Sequence, residues 1–221
     1  IEKLEGTLED LLDKKKYNDN LLISCLFQIT FALTYLQKHY DFTHNDLHIN
    51  NIMYNKTETL YLYYKVNNIY YRIPTYGKVF KIIDYGRAIF TYKKKTYMND
   101  VFSVNGEAGG QYAYPHQIDF LNIEDKQNVK EPNVHFDLCR LAMTILDEIP
   151  MKNVKNELLL TLLKALSTDK YGNNFCDMTD NFSLYIKIAR DACNALPRKT
   201  LEDLPTKQLI LEYMKSAADS G

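Results

Sequence analysis

The chain has 221 residues, of which 46% are hydrophobic and 25% charged, and its formal net charge is −1. This length holds one ordinary domain with a real core, the composition is that of a soluble globular protein, and the near-neutral charge excludes the broad basic field of a nucleic-acid binder. Lys14-Lys15-Lys16 and Lys93-Lys94-Lys95 are local clusters, read as solvated faces. Cys25, Cys139, Cys176 and Cys193 are scattered with no C-x-x-C pair, so free buried thiols in a reducing, intracellular compartment are expected. No apolar run approaches the ~18 residues of a membrane span and no signal peptide is seen, so no membrane partner is expected.

In chain order, Thr7-Leu8-Glu9-Asp10 caps a first helix whose buried stripe is Leu8, Leu11 and Leu12. Leu22, Leu26, Ile29, Leu33 and Leu36 recur at helical spacing, and Leu21, Ile23, Phe27, Phe31 and Tyr35 add apolar surface on other sides. The spacing predicts a central buried helix over 20–38, capped by Asp19 or Asn20. Residues 52–83 read as β structure: a hairpin of 60–66 and 69–73 turning at Asn67-Asn68, a second turn at Pro74-Thr75-Tyr76-Gly77, and a strand over 78–83. Residues 87–133 carry turn formers and few long periodic runs, and read as a long loop of the kind that is either functional or mobile. Helices are expected at 135–149, 154–167, 181–195 and 203–216. The fold class is therefore mainly α with a small antiparallel β patch.

The chemistry concentrates in two stretches. His44-Asn45-Asp46-Leu47-His48-Ile49-Asn50-Asn51 is H-x-D-L-x-x-x-N followed by apolar residues, and Lys81-Ile82-Ile83-Asp84-Tyr85-Gly86 is an apolar strand ending in Asp-aromatic-Gly. Phosphoryl transfer needs an aligned nucleophile, held phosphates and a cation that neutralises charge. Asp46 is the candidate acceptor of the substrate hydroxyl proton. Asn51 and Asp84 offer the oxygen ligands that Mg2+ takes. Gly86 is expected to let the chain turn sharply after Asp84, and His44 to pack beneath the loop. Read in isolation, each fragment is an ordinary polar turn, and His44, Asp46 and His48 could instead be transition-metal ligands. That second reading leaves Asn51 and Asp84 without a purpose.

The ordered set matches the protein-kinase catalytic loop and D-F-G element. The chain resembles the large C-terminal lobe of a eukaryotic-type protein kinase, and among such proteins those encoded by large DNA viruses of protists. The resemblance is specific over 1–86, good at 134–147 and architectural beyond. It implies a single kinase-like lobe over 1–221 that begins at the hinge, with an activation-segment-like loop at 84–115 and the small lobe lying upstream. Ile1 falls at the gatekeeper, Glu2 and Leu4 at the adenine edge, and Met53 beneath the adenine. His48 stands where the family has a lysine that touches the transferred phosphate. Asp137, read alone as an acid at a helix N-terminus, would accept backbone N–H groups of the catalytic loop. The implied cofactors are ATP and Mg2+, and the implied partner is a protein substrate phosphorylated on serine or threonine.

Three departures matter. Asn45 replaces the catalytic-loop arginine that pairs with a phosphorylated activation loop, so activation by that route is not expected. His48 carries a pH-dependent charge where lysine would not. There is no A-P-E, and Gly109-Gly110-Gln111-Tyr112-Ala113-Tyr114-Pro115 is its stand-in. Two rivals stay open: a small-molecule kinase of the choline or aminoglycoside type, which shares D-L-H, and a pseudokinase scaffold.

Overall fold

A computed structural model of the chain describes residues 3–66, 69–112, 131–178 and 182–206. Its architecture is mixed α/β, about half helical, with small antiparallel sheets. A short strand β1 (Gly6–Thr7) leads into α1 (Leu8–Asp13). Thr7 caps α1 as its sequence predicts: its hydroxyl accepts from Asp10 N–H at 3.0 Å, and Asp10 accepts in return from Thr7 N–H at 3.2 Å. Leu8, Leu11 and Leu12 are buried.

Helix α2 spans Asp19–Tyr40, two residues longer at its C-terminal end than its periodicity predicts. Its cap is neither Asp19 nor Asn20 but Asn18, whose side chain accepts from Leu21 N–H at 2.9 Å. Asp19 is otherwise engaged, accepting from the N–H groups of Lys155 and Asn156 at 2.8 and 2.6 Å. By length and composition α2 is long and apolar enough to cross a membrane, with a mean hydropathy of 1.3 and 61% of that window buried. This corrects the expectation that no segment reaches that length. Here the helix is the centre of the core, with Leu22, Ile23, Cys25, Phe27, Ile29 and Leu33 almost wholly covered.

Strand β2 (Ile52–Lys56) pairs antiparallel with β1 on one side and with β5 (Lys78–Ile82) on the other, in the register Ile52↔Ile82. Between them, β3 (Tyr61–Val66) and β4 (Ile69–Pro74) form the expected hairpin, whose Asn67-Asn68 turn lies outside the described residues. The second turn is as read, with Tyr76 and Gly77 both at positive φ, 48° and 74°.

The free edge of β5 is closed by a side chain. Gln28 of α2 is buried; its Oε1 accepts from Phe80 N–H at 2.9 Å, and its Nε2 lies 3.5 Å from Lys78 O and 3.3 Å from Ser24 Oγ. An amide side chain thus supplies the donor and acceptor that a further strand would have offered.

The stretch read as a loop from 87 onward holds regular structure. Strands β6 (Phe90–Tyr92) and β7 (Lys95–Tyr97) form a hairpin, followed by a 3-10 turn at Asp100–Phe102 and a short helix α3 (Gly109–Tyr112). A two-residue hairpin turn of type I′ needs positive φ at both central positions. Lys93 and Lys94 adopt it, at 49° and 64°, without the Asn-Gly signal that would have betrayed it. Stacking of Phe90 on Tyr97, 5.3 Å between centroids, braces the pair.

Helices α4 (Phe136–Glu148), α5 (Glu157–Leu166) and α6 (Phe182–Asp191) fall close to their predicted spans. Helix α7 runs Pro197–Asp203, started by proline at its first turn; of the further helix expected at 203–216, residues 207–216 lie outside the described residues. Buried apolar residues from Leu8 to Leu204 form one cluster. All four cysteines are free, as expected; Cys25 and Cys139 are buried, whereas Cys176 is half-buried and Cys193 exposed, so the expectation of buried thiols is corrected for these two. The two lysine triplets are exposed, as read.

Replacing Gln28 by leucine keeps the volume and leaves Phe80 N–H without its partner. Unfolding in urea is expected to show a loss of about 1–3 kcal/mol, the cost of an orphaned buried polar group.

Candidate functional site

The loop that carries Asp46 is fixed by alternation. Phe42, Leu47, Ile49 and Ile52 are buried, and between them Asp46 and His48 remain partly exposed. Upstream, Thr43 and Ile89 exchange both N–H···O bonds at 2.9 Å, which ties this loop to the chain just beyond Asp84-Tyr85-Gly86.

Beneath the loop lies Asp137, fully buried in the first turn of α4. Its Oδ2 accepts from His44 N–H at 2.9 Å and its Oδ1 from Asn45 N–H at 2.8 Å. Burial pushes this carboxyl up, and His44 with the two N–H groups pulls it the other way. Both oxygens act as acceptors, so the anion is the form the loop binds. His44 is also buried. Its Nε2 meets the carbonyl of Ile83 at 2.9 Å, and since a carbonyl only accepts, Nε2 carries the proton.

Asn45 is buried and left-handed, with φ 63°, a conformation asparagine tolerates better than most residues. Its Nδ2 donates to Thr43 Oγ1 at 2.9 Å and to Arg87 O at 3.1 Å, while its Oδ1 accepts from Tyr112 OH at 2.7 Å. Where the resemblance has an arginine, an uncharged amide therefore joins both ends of the 87–112 stretch.

Asp46 is partly exposed. Its Oδ1 accepts from Tyr185 OH at 2.8 Å, Arg87 Nε stands 3.9 Å from Oδ2, and His48 Nε2 is 4.0 Å from Oδ1. Burial raises the Tyr185 hydroxyl above the usual phenol range, which keeps it a donor. The Asn51 Nδ2 donates to Asp46 O at 2.8 Å, so the side-chain amide is oriented and its oxygen faces away from that carbonyl.

His48 is flanked by N–H donors on both ring nitrogens: Asn50 N–H is 3.3 Å from Nδ1, and Asn51 Nδ2 is 3.2 Å from Nε2. A neutral ring accepts from one of them and an imidazolium from neither. Burial, more than any single charge, lowers the His48 pKa; Arg140 and His44 add to this, while Asp46 and Asp84 oppose it. The ring is thus a weak substitute for a lysine charge.

Asn51 and Asp84 are brought together by strand pairing. Asn51 immediately precedes β2, Asp84 follows β5, and Ile83 N–H donates to Asn51 O at 3.0 Å. Asp84 is exposed, with one oxygen accepting from Gly86 N–H at 3.3 Å. The sharp turn is made by Asp84 itself, at φ 61°, and Gly86 has no positive φ. This corrects the turn assigned to Gly86. What the glycine supplies is room: a Cβ there would stand 3.3 Å from Asp84 Oδ1. Tyr85 folds back onto the loop, its ring 5.6 Å from that of His44.

Leu4 and Met53 are both half-buried, but the register sets Met53 opposite Thr7, so Leu4 lies three residues upstream of that pair. Glu2 lies outside the described residues. The alternative metal site is not formed: among the described residues no three or more His, Cys, Asp or Glu side chains group to hold a metal, and His44 spends its Nε2 on Ile83.

Sequence reasoning missed Arg87, Tyr112 and Tyr185. Arg87 directly follows Asp-Tyr-Gly and was open to notice. Tyr112 and Tyr185 reach the loop from 67 and 139 residues away, where no local spacing points to them.

No family model matches the chain. It is similar to uncharacterized protein 098R of Invertebrate iridescent virus 6, 40% identical over 85 residues, a match covering 36% of this chain and 14% of that protein. The chain thus aligns with a small part of that relative's length.

His135, just before α4, has its pKa lowered by burial, so the unfolded chain binds the proton more readily. Its contribution is therefore intact above about pH 6.5 and is lost as pH falls from there through the lowered folded value. Urea unfolding of wild type and H135Q at pH 7.5 and 5.5 is expected to show wild type losing stability relative to the variant on acidification.

Proposed function

We propose that the chain is the large lobe of an ATP- and Mg2+-dependent protein phosphotransferase acting on serine or threonine hydroxyls. The observation that carries this reading is the convergence of Asp46, Asn51 and Asp84. Two leave neighbouring antiparallel strands at the same end, and the third sits on a loop locked to α4 through Asp137. Loops positioned by rigid elements at strand ends are where such chemistry is built.

The donor set fits Mg2+, a hard cation that takes a few protein oxygens and fills its remaining positions with phosphate and water. Asp84 offers an exposed carboxylate and Asn51 an amide oxygen oriented by its bond to Asp46 O. Mg2+ held there would neutralise phosphate charge. The chain's own residues do the rest. Asp46 accepts the proton of the attacking hydroxyl, Asp137 and His44 hold the loop that presents it, and Met53 with Leu4 borders the adenine. His48 acts as a neutral hydrogen-bonding group rather than a cation.

In the full-length protein with MgATP and a protein substrate, Asp46→Asn is expected to lower turnover by about 10²–10⁴-fold, the range for loss of a general base. Wild-type turnover in that variant overturns the reading, and absence of Mg2+-dependent nucleotide binding points instead to a scaffold module. Because Asn45 joins the segment ends without charge, phosphatase treatment is expected to leave activity unchanged.

A further inference from the structure

We propose that Tyr185 is a positioning residue for Asp46, an inference that rests on the phosphotransfer reading above. The Tyr185 hydroxyl donates to Asp46 Oδ1 at 2.8 Å, whereas Arg87 Nε and His48 Nε2 are 3.9 and 4.0 Å from the same carboxylate. The ring that carries the hydroxyl is held on several sides. It stacks on Phe182 (6.2 Å between centroids, 18° between planes) and lies 5.8 Å from Phe136. The guanidinium groups of Arg140 and Arg87 lie over it, at 5.2 and 5.6 Å. Its helix, α6, is anchored by buried Leu184, Ile188 and Ala189. Asn133 ties down the C-terminal end of that helix by donating to Ile188 O, Ala189 O and Ala192 O.

The purpose of such a fixed donor follows from what stands on the other side. A loop carboxylate turns about two torsions, and a guanidinium within reach draws it into a two-point pair that occupies both oxygens. Arg87 is already at 3.9 Å and is itself held by Glu107, its Nη2 3.0 Å from Oε1. Tyr185 takes Oδ1 and keeps the carboxylate from closing on Arg87, so Oδ2 remains for the acceptor hydroxyl. Tyr185 exchanges no proton with the substrate; it acts only through Asp46.

The test uses the full-length protein with MgATP and a protein substrate. Y185F, which removes one oxygen, is expected to keep its melting temperature and lose about 10–100-fold in kcat, the scale of one hydrogen bond to a charged group. The KM values for ATP and for the protein substrate should stay within about twofold. On a D46N background Y185F should add nothing. Adding R87Q to Y185F should restore much of the lost kcat, because the competing cation is gone. A purely structural role would give neither the silence on D46N nor the rescue. Unchanged or raised kcat in Y185F, losses that multiply with D46N, or no rescue by R87Q each overturn the proposal, while a large D46N loss leaves the phosphotransfer reading standing. Wild-type turnover in D46N overturns both.

Discussion

Everything at the candidate site hangs on one buried carboxylate. Asp137 receives two consecutive backbone N–H groups, those of His44 and Asn45, from a loop that has no regular structure to satisfy them. Buried amides must be paired, and a loop with unpaired ones would open to water. The carboxylate in turn needs donors to stay charged away from solvent. Each solves the other's problem, and the solution fixes the distance between a helix of the core and the residue that presents Asp46. His44 extends the same logic to Ile83, so the two motifs are held together by a common set of bonds.

A second layer is built from neutral groups. Asn45 contacts Thr43, Arg87 and Tyr112 at once. It satisfies both its amide donor and its amide acceptor inside the protein, which a charged side chain at that depth could not do without a counter-ion. Tyr112 joins the end of this stretch to Asn133, and Asn133 joins α6 to the start of α4. The loop, the following segment and the helices that flank them form one connected polar network with few exposed members.

Much of this was legible from the residues. The capping box at Thr7, the buried stripe of α2, the hairpin before Asp84 and helix α4 all follow from periodicity and turn chemistry, because each is decided by neighbours within a few positions. What was not legible depended on distant partners or on exceptions to local preference. Asn18 displaced Asp19 as a cap because Asp19 was taken by the backbone at Lys155 and Asn156. The Lys93-Lys94 turn adopted positive φ without the residues that favour it, since the flanking aromatic pair pays for the strain. Asp84, not Gly86, took the left-handed turn. The candidate residues Asp46, Asn51 and Asp84 could be named from their motifs, whereas Tyr185 and Tyr112, which bond to Asp46 and Asn45, arrive from elsewhere in the fold.

The neutrality of the Asn45 junction has a consequence for how the site responds to its surroundings. An arginine–phosphate clasp is a charged contact, weakened by dissolved ions within a Debye length of about 8 Å at physiological ionic strength, and it vanishes when the phosphate is removed. A buried amide bonded to a phenol and two carbonyls has no such dependence. The Asn45 junction between Arg87 and Tyr112 therefore rests on neutral hydrogen bonds and packing, where a charged clasp would have made it a variable of the surrounding ions.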